Sequence, residues 1–588
     1  MESVIEIKNF SLSFKHYNGL VPAVLDINLT LKKGQTLGLV GESGSGKSVT
    51  SLAIMGLLPF PEAKIISGEV LYQGKDLLKI NQKEFSRIRG SKITMVFQEP
   101  MTSLNPVFSI GNQLMEPLQL HQGLKKKEAF EKAVSLLEEV GLPDPERKVH
   151  DFPHQLSGGQ RQRVMIAMAL ACEPDFMICD EPTTALDVTI QKQVLELLIK
   201  LQKTHQMGLL FISHDLSVVG ELCHEVAVMK KGKIVEKGSA RELFLNPKDP
   251  YTKGLLACRP KLDQNPKRLL TVEDFSQMED DPNFELPRLK KEIKTEKSFT
   301  RGSKEEPLLK VSHCSVSFPL EERFFGPPKK WFKAVEDISF TLHKGMTLGF
   351  VGESGSGKTT LGRAILQLVK QTEGKIYYQG QCLNDLSKKE MRDLRKKVQI
   401  IFQDPYSSLN PRKTVGELIT TPMTIHNIGN SKKERMEMAK ELLQKVGLDP
   451  VHINRYPHQF SGGQRQRISI ARTLSLKPEF IICDESVSAL DVSIQAQVLN
   501  LLQDLQEEFD LTYIFISHDL NVVKYFSDEI IVMKEGKIVE RATPSELYRN
   551  PKSDYTKKLI NSIPKGIEKE NRQKASFKMG QPSAILSP

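Results

Sequence analysis

Short apolar runs that stop abruptly at glycines or at acids set the rhythm of this chain. TLGLV at 36–40 leads into the glycine-rich GESGSGKS, and apolar positions resume at helical spacing through VTSLAIMGLL. That pattern predicts strand, loop and helix in succession. FMICDE at 176–181 is an apolar run ending in two acids. It predicts a buried strand of the kind parallel sheets use, with its acids at the carboxyl end, where α/β sheets place their ligands. A further apolar run, ending FIS at 211–213, predicts another such strand, and KKKEAFEKAVSLLEEVGL at 125–142 predicts a helix whose basic face is solvated. No stretch approaches the roughly 18 uncharged apolar residues that a membrane-spanning helix requires, and the opening MESVIEIKNF has no apolar signal core.

The same pattern is written twice. GLVGESGSGKS at 38–48 returns as GFVGESGSGKT at 349–359, FQEPMTSLNP at 97–106 as FQDPYSSLNP at 402–411, and LSGGQRQR at 156–163 as FSGGQRQR at 460–467. CDEPTTALDV at 179–188 and FISHDL at 211–216 recur as CDESVSALDV and FISHDL, both 304 residues later. Near the start of each copy the offset steps from 304 to 311, so the second copy carries seven extra residues around FPLEERFFGPPKKWFKAV. This is a tandem duplication of one domain, with a period too long for a solenoid. The expected organisation is a first domain at 1–261, a charged flexible linker at 262–306, a second domain at 307–564 and a tail of disordered composition at 565–588.

The glycine-rich strings match G-x-x-x-x-G-K-[ST]: Gly41, Glu42, Ser43, Gly44, Ser45, Gly46, Lys47 and Ser48, and again Gly352, Glu353, Ser354, Gly355, Ser356, Gly357, Lys358 and Thr359. Glycines let the backbone wrap with its N–H groups turned inward, and the following helix adds about half a positive charge. Lys47 and Lys358 are then expected to reach the β- and γ-phosphates of ATP, with Ser48 and Thr359 placed to ligate Mg²⁺. In the acid pairs, Asp180 and Asp484 suit the Mg²⁺ site, while Glu181 and Glu485 are candidate bases for the attacking water.

LSGGQ separates this chain from phosphate-loop ATPases in general: the chain resembles the nucleotide-binding domains of ABC transporters, and the resemblance covers both copies almost end to end. It implies an α/β fold of tandem P-loop NTPase domains, each with a RecA-like core, an N-terminal antiparallel β subdomain and an α-helical subdomain. It also implies that Ser157, Gly158, Gly159 and Gln160 close the site of Lys358, and that Ser461, Gly462, Gly463 and Gln464 close that of Lys47. Gln98 and Gln403 match the Q-loop glutamine, a contact to Mg²⁺ and water; Asp187 and Asp491 match the D-loop; His214 and His518 match the switch histidine at the γ-phosphate. His154 and His458 read as structural. The aromatic that stacks on adenine is Phe14 or Tyr17 in the first copy and Trp331 or Phe332 in the second. Ser486 stands where the first copy has Pro182, yet the acids are intact in both, so two hydrolytic sites are expected.

Segments outside this shared core narrow the resemblance. Q-[ED]-P-x-x-S-L-N-P, the L-D-V-[ST]-I-Q-x-Q-V-L runs at 186–195 and 490–499, and the endings DPYTKGLLACRP at 249–260 and SDYTKKLINSIP at 553–564 are similar to the peptide and nickel importer ATPases. Many of those carry a C-terminal cysteine cluster, whereas Cys258 stands alone here. The resemblance implies partnership with two transmembrane permease subunits and an extracytoplasmic solute-binding protein, at the cytoplasmic face of the membrane. The rival reading is a soluble twin ATPase acting on the ribosome, for which the net charge of +10 could be invoked. Its inter-domain arm should be strongly basic, but 262–306 holds nine Lys and Arg against eleven acids. A DNA-repair ATPase is disfavoured by the lack of paired cysteines and of coiled-coil heptads. Composition adds little: 39% hydrophobic and 26% charged residues exclude disorder throughout, and seven scattered cysteines with no C-x-x-C pair fit a reducing compartment.

Overall fold

The computed structural model describes residues 3–16, 19–184, 186–260, 266–280, 306–320, 330–488, 490–564 and 566–567. Its contacts divide the chain into two units. The first is built on strands β1 (Ser3–His16), β2 (Gly19–Lys32), β3 (Thr36–Val40), β4 (Ala63–Tyr72), β5 (Lys75–Asp76), β6 (Ile93–Val96), β7 (Phe176–Asp180), β8 (Gly208–Ile212), β9 (Glu225–Lys230) and β10 (Lys233–Ser239). β2-β1-β4-β5 form an antiparallel sheet. The other sheet runs β10-β9-β3-β8-β7-β6, parallel except for the antiparallel edge strand β10. Every residue of β3, β7 and β8 is buried. Continuous apolar runs are what a strand covered on both faces requires.

The second unit repeats this with β11 (Leu309–Pro319), β12 (Trp331–Leu342), β13 (Thr347–Val351), β14 (Glu373–Tyr378), β15 (Gln381–Cys382), β16 (Val398–Ile401), β17 (Phe480–Asp484), β18 (Thr512–Ile516), β19 (Glu529–Lys534) and β20 (Lys537–Ala542). Its sheets run β12-β11-β14-β15 and β16-β17-β18-β13-β19-β20. In each unit one apolar cluster fills the space between the two sheets, gathering Phe10, Ile54 and Phe176 in the first and Phe340, Ile365 and Phe480 in the second. Helices between the edge strand β6 and β7 form the α-helical part, among them Ile110–Gln122, Lys126–Glu139 and Gly158–Leu170. Lys126–Glu139 buries Ala129, Ala133, Leu136 and Leu137, the stripe its periodicity predicts, and leaves its lysines to solvent.

Two stretches depart from the organisation expected from sequence. Residues 183–194 group with the second unit rather than the first, and so does 257–280, although the linker was expected to begin at 262. The reason is local. Leu269 is 3% exposed and exchanges two backbone hydrogen bonds with the amide of Asn500, at 3.0 and 2.9 Å. A helix, Val272–Asp280, follows, with Asp274 accepting from the N–H and hydroxyl of Thr271. Residues 262–265 and 281–305 of the expected linker, and all of the expected tail but 566–567, lie outside the described residues. Among the described residues no helix is long and apolar enough to cross a membrane.

Candidate nucleotide-binding sites

β3 has β8 on one side and β9 on the other, so the loop after it opens where the chain's crossovers diverge. That is the position at which open α/β sheets leave a crevice. Gly41 takes φ +153°, and a Cβ there would stand 2.2 Å from the carbonyl oxygen of Met229; Gly352 does the same against Met533. Only glycine permits so close an approach. Lys47 Nζ donates to the carbonyls of Gly41 and Glu42 at 2.7 and 2.9 Å, and Lys358 Nζ to Gly352 and Glu353 at the same distances. Burial lowers the Lys358 pKa, against the pull of the surrounding acids Glu485, Asp187 and Asp484. Ser45 Oγ is buried with no hydrogen-bond partner, whereas Ser356 Oγ accepts from Lys358 at 3.1 Å.

At the ends of β7 and β17, Ser48 Oγ donates to Asp180 Oδ1 at 3.4 Å, and Thr359 Oγ1 to Asp484 Oδ1 at 2.8 Å. Burial pushes the Asp180 carboxyl up to about 6, partly offset by the Ser48 hydroxyl, and raises that of Asp484 in the same way. A desolvated carboxylate beside a hydroxyl is a hard-oxygen pair that suits Mg²⁺, an ion that keeps several waters and takes few protein ligands. Among the described residues no group of three or more His, Cys, Asp or Glu could cage a metal instead.

The residue after each aspartate turns sharply. Glu181 and Glu485 have φ of 48° and 47°, the left-handed region, which costs a non-glycine residue on the order of 1 kcal/mol or more. Their N–H groups still donate to Ile212 and Ile516 at 2.9 Å, so the ladder continues while the side chain is re-aimed. The carboxylate of Glu181 then accepts from Gln98 Nε2 at 2.9 Å and lies 3.2 Å from His214 Nδ1. In the second copy Gln403 is 2.7 Å and His518 Nδ1 3.5 Å from Glu485. Burial opposes charge on both members of the Glu485–His518 pair. Their mutual hydrogen bond and attraction prevail, so the histidine pKa is raised and the glutamate pKa lowered.

Within each copy, the structure therefore gathers the loop lysine, the hydroxyl, both acids, the glutamine and the histidine that the sequence singled out. The signature residues stand apart. Ser157 caps the helix Gly158–Leu170, accepting from Gln160 N at 3.3 Å while Gln160 Oε1 accepts from Ser157 N at 3.1 Å. Ser461 and Gln464 repeat this capping box on Gly462–Leu474. Serine and glutamine thus shape a helix start whose N–H dipoles face outward. Arg465, next in sequence, lies over the ring of Tyr406 at 3.7 Å, whereas Arg161 touches Met101. Asp187 groups with the second unit and accepts from Ser354 N at 2.7 Å. His154 and His458 stack on Phe152 and Tyr456. Trp331 and Phe332 are half exposed on β12, and Phe14 packs partly against the first core; Tyr17 lies outside the described residues.

Sequence reasoning missed Tyr251 and Tyr555, whose hydroxyls accept from the loop N–H groups of Glu42 and Glu353 at 3.0 and 3.1 Å. The repeated D-P-Y-T and S-D-Y-T strings were the available signal.

The profile of the ABC transporter family matches residues 24–184 and 335–488. The chain belongs to the ABC transporter family. Both copies are ABC domains of α/β fold, and the chain is an ABC ATPase. The profile described as the oligopeptide/dipeptide transporter C-terminal region matches 235–281 and 539–585. Among curated relatives of this ABC protein, the glutathione import ATP-binding protein GsiA of Salmonella typhimurium (strain LT2) is 46% identical over 571 residues, 95% of this chain and 89% of the relative. The peptidoglycan transport ATP-binding protein YejF of Agrobacterium fabrum is 45% identical over 560 residues, 95% of this chain and 96% of that one. GsiA of Escherichia coli K12 is 44% identical over 584 residues, 97% and 91% of the two chains.

Proposed function

We propose that this chain hydrolyses ATP to energise a bacterial importer of peptides or peptide-like solutes, glutathione among the candidates. The observation that carries the reading is the oligopeptide/dipeptide C-terminal region, present in both copies of a chain aligned nearly end to end with importer subunits. The same observation favours import over action on the ribosome.

In each site the lysine leaves its two loop carbonyls for the β- and γ-phosphates, and the inward N–H groups of the loop take the remaining charge. Ser48, Asp180 and Gln98, and their counterparts Thr359, Asp484 and Gln403, would hold Mg²⁺. When bound, the ion neutralises charge that develops on the phosphate oxygens. Glu181 and Glu485 accept hydrogen bonds from glutamine on one side and face histidine on the other, an arrangement suited to holding a water in line with the γ-phosphorus and taking its proton. His214 and His518 donate to the γ-phosphate. The two ABC domains pair head to tail, so that Ser157, Gly158, Gly159 and Gln160 complete the site of Lys358, and Ser461, Gly462, Gly463 and Gln464 that of Lys47. Binding closes the pair and hydrolysis reopens it. Two permeases receive that motion at the cytoplasmic face of the membrane, and a solute-binding protein outside selects the cargo. The test is co-purification with membrane permeases and an ATPase rate that responds to them. Absence of any membrane partner, with a rate indifferent to permeases, overturns the proposal.

A further inference from the structure

We propose that Tyr251 and Tyr555, in the segments that mark the oligopeptide-type C-terminal region, are positioning residues of the two phosphate loops. The inference rests on the reading of those loops as nucleotide sites. Each tyrosine stands in a helix that starts after the last strand of its unit, Pro250–Ala257 after β10 and Asp554–Asn561 after β20. The helix start is pinned from the strand. Glu236 accepts from the N–H groups of Lys248 and Asp249 at 2.8 and 3.1 Å, and Glu540 from those of Lys552 and Ser553 at 2.8 and 3.0 Å. Tyr251 is 1% exposed, its hydroxyl accepting from Glu42 N at 3.0 Å and lying 3.3 Å from Glu42 Oε2. Tyr555 meets Glu353 N at 3.1 Å, with burial foremost in raising its phenol to about 12, so the hydroxyl stays protonated.

The peptide so held is a pivot of the loop. Its own carbonyl, that of Gly41, accepts the Lys47 ammonium at 2.7 Å, and the next carbonyl, that of Glu42, accepts the same ammonium at 2.9 Å and Ser45 N at 3.1 Å. Satisfying the Glu42 N–H from outside leaves the inner face of the loop for phosphate, and fixes the orientation of the carbonyl on which Lys47 waits. A phenylalanine would fill the same volume, so packing alone does not account for the hydroxyl. The same contact is made in both copies, 209 residues apart in one and 202 in the other. Without it the loop must be ordered when nucleotide arrives, and that ordering weakens affinity without touching the reacting atoms.

The test compares the full chain with the Tyr251→Phe/Tyr555→Phe double variant, using a non-hydrolysable ATP analogue with Mg²⁺ for affinity and phosphate release for turnover. Expected are a Kd and KM raised about five- to tenfold, the loss of one hydrogen bond's contribution to ordering the loops, with kcat within about twofold. Tyr72→Phe is the control, because its hydroxyl donates to Asp175 at 2.7 Å away from either loop; its Kd should equal that of the unsubstituted chain. Unchanged Kd in the double variant, or an equal rise in Tyr72→Phe, overturns the inference. Should the double variant not fold, Glu236→Gln/Glu540→Gln loosens the same helix starts and should raise Kd about two- to threefold; no rise overturns the inference. If the unsubstituted chain fails to bind the analogue, it is the nucleotide-site reading that falls.

Discussion

Replacing Glu181 and Glu485 by glutamine, separately and together, tests the hydrolytic reading at its centre. The substitution keeps the shape of the side chain and an oxygen able to accept from Gln98 or Gln403, now at 2.9 and 2.7 Å. It removes the charge that faces His214 and His518 and the basicity needed to take a proton from water. General base catalysis contributes about 10² to 10⁴ in rate, equivalent to about 3 to 5 kcal/mol of barrier. The double variant should therefore lose at least about 10² of its phosphate release while binding ATP within about threefold of the unsubstituted chain. Each single variant should lose about half or more, since the matching distances in the two copies give neither site priority. A double variant that keeps more than about a tenth of the turnover would show that these glutamates are not the bases. If one single change abolishes turnover and the other leaves it untouched, the expectation of two working sites is wrong.

Gly41→Ala forces a Cβ into the Met229 carbonyl at 2.2 Å in a left-handed backbone, so calorimetric titration with the ATP analogue should show binding at the second loop alone. Gly463→Ala places a Cβ 2.3 Å from Ile494 Cγ2 and should cost about 1–3 kcal/mol, read as a fall of several degrees in Tm, whereas at Gly462 the nearest atom is 4.0 Å away and alanine should be tolerated. Glu540 has its pKa lowered: burial opposes charge, but the hydrogen bonds it accepts from the backbone N–H groups of Lys552 and Ser553 outweigh it. A depressed carboxylate contributes stability above its unfolded pKa and loses it as pH falls through its folded one, so Tm of the unsubstituted chain should exceed that of Glu540→Gln at neutral pH and converge with it on acidification below the carboxylate range.

What could be read from sequence and what could not divide along a physical line. The loop lysine, the acids and the histidine follow or end short buried strands, so their chemistry is tied to neighbours in the chain and to its apolar rhythm. The family profile matching both copies agrees with the resemblance drawn from those strings. The tyrosine that braces each loop comes from more than 200 residues away, and no local pattern reports a partner at that separation. A stretch rich in Lys, Glu, Asp and Pro and poor in aromatics, 262–306, reads as solvated chain, yet RLLTV within it supplies Leu269 and Val272, both buried. An average over a long charged segment hides a few apolar residues that suffice to dock its first part. Nor does D-E announce that the glutamate takes a left-handed backbone; that follows only once β8 and β18 hold its N–H while the side chain turns toward glutamine and histidine.

Differences between the two copies leave the glutamine, glutamate and histidine in place. The glutamine, glutamate and histidine distances agree to a few tenths of an ångström, at 2.9 and 3.2 Å against 2.7 and 3.5 Å. Around them, Pro182 becomes Ser486 with an unpartnered buried hydroxyl, and Met101 becomes Tyr406, which lets Arg465 stack where Arg161 cannot. Tyr406 follows Gln403 by three residues and Arg465 follows Gln464 by one, so that stacking joins the segment after Gln403 to the start of the helix Gly462–Leu474. A cation over an aromatic face contributes about 1–2 kcal/mol when desolvated, and Arg465 is 5% exposed. Divergence has therefore left the glutamine, glutamate and histidine in place and acted on the packing between the segment after Gln403 and the helix Gly462–Leu474.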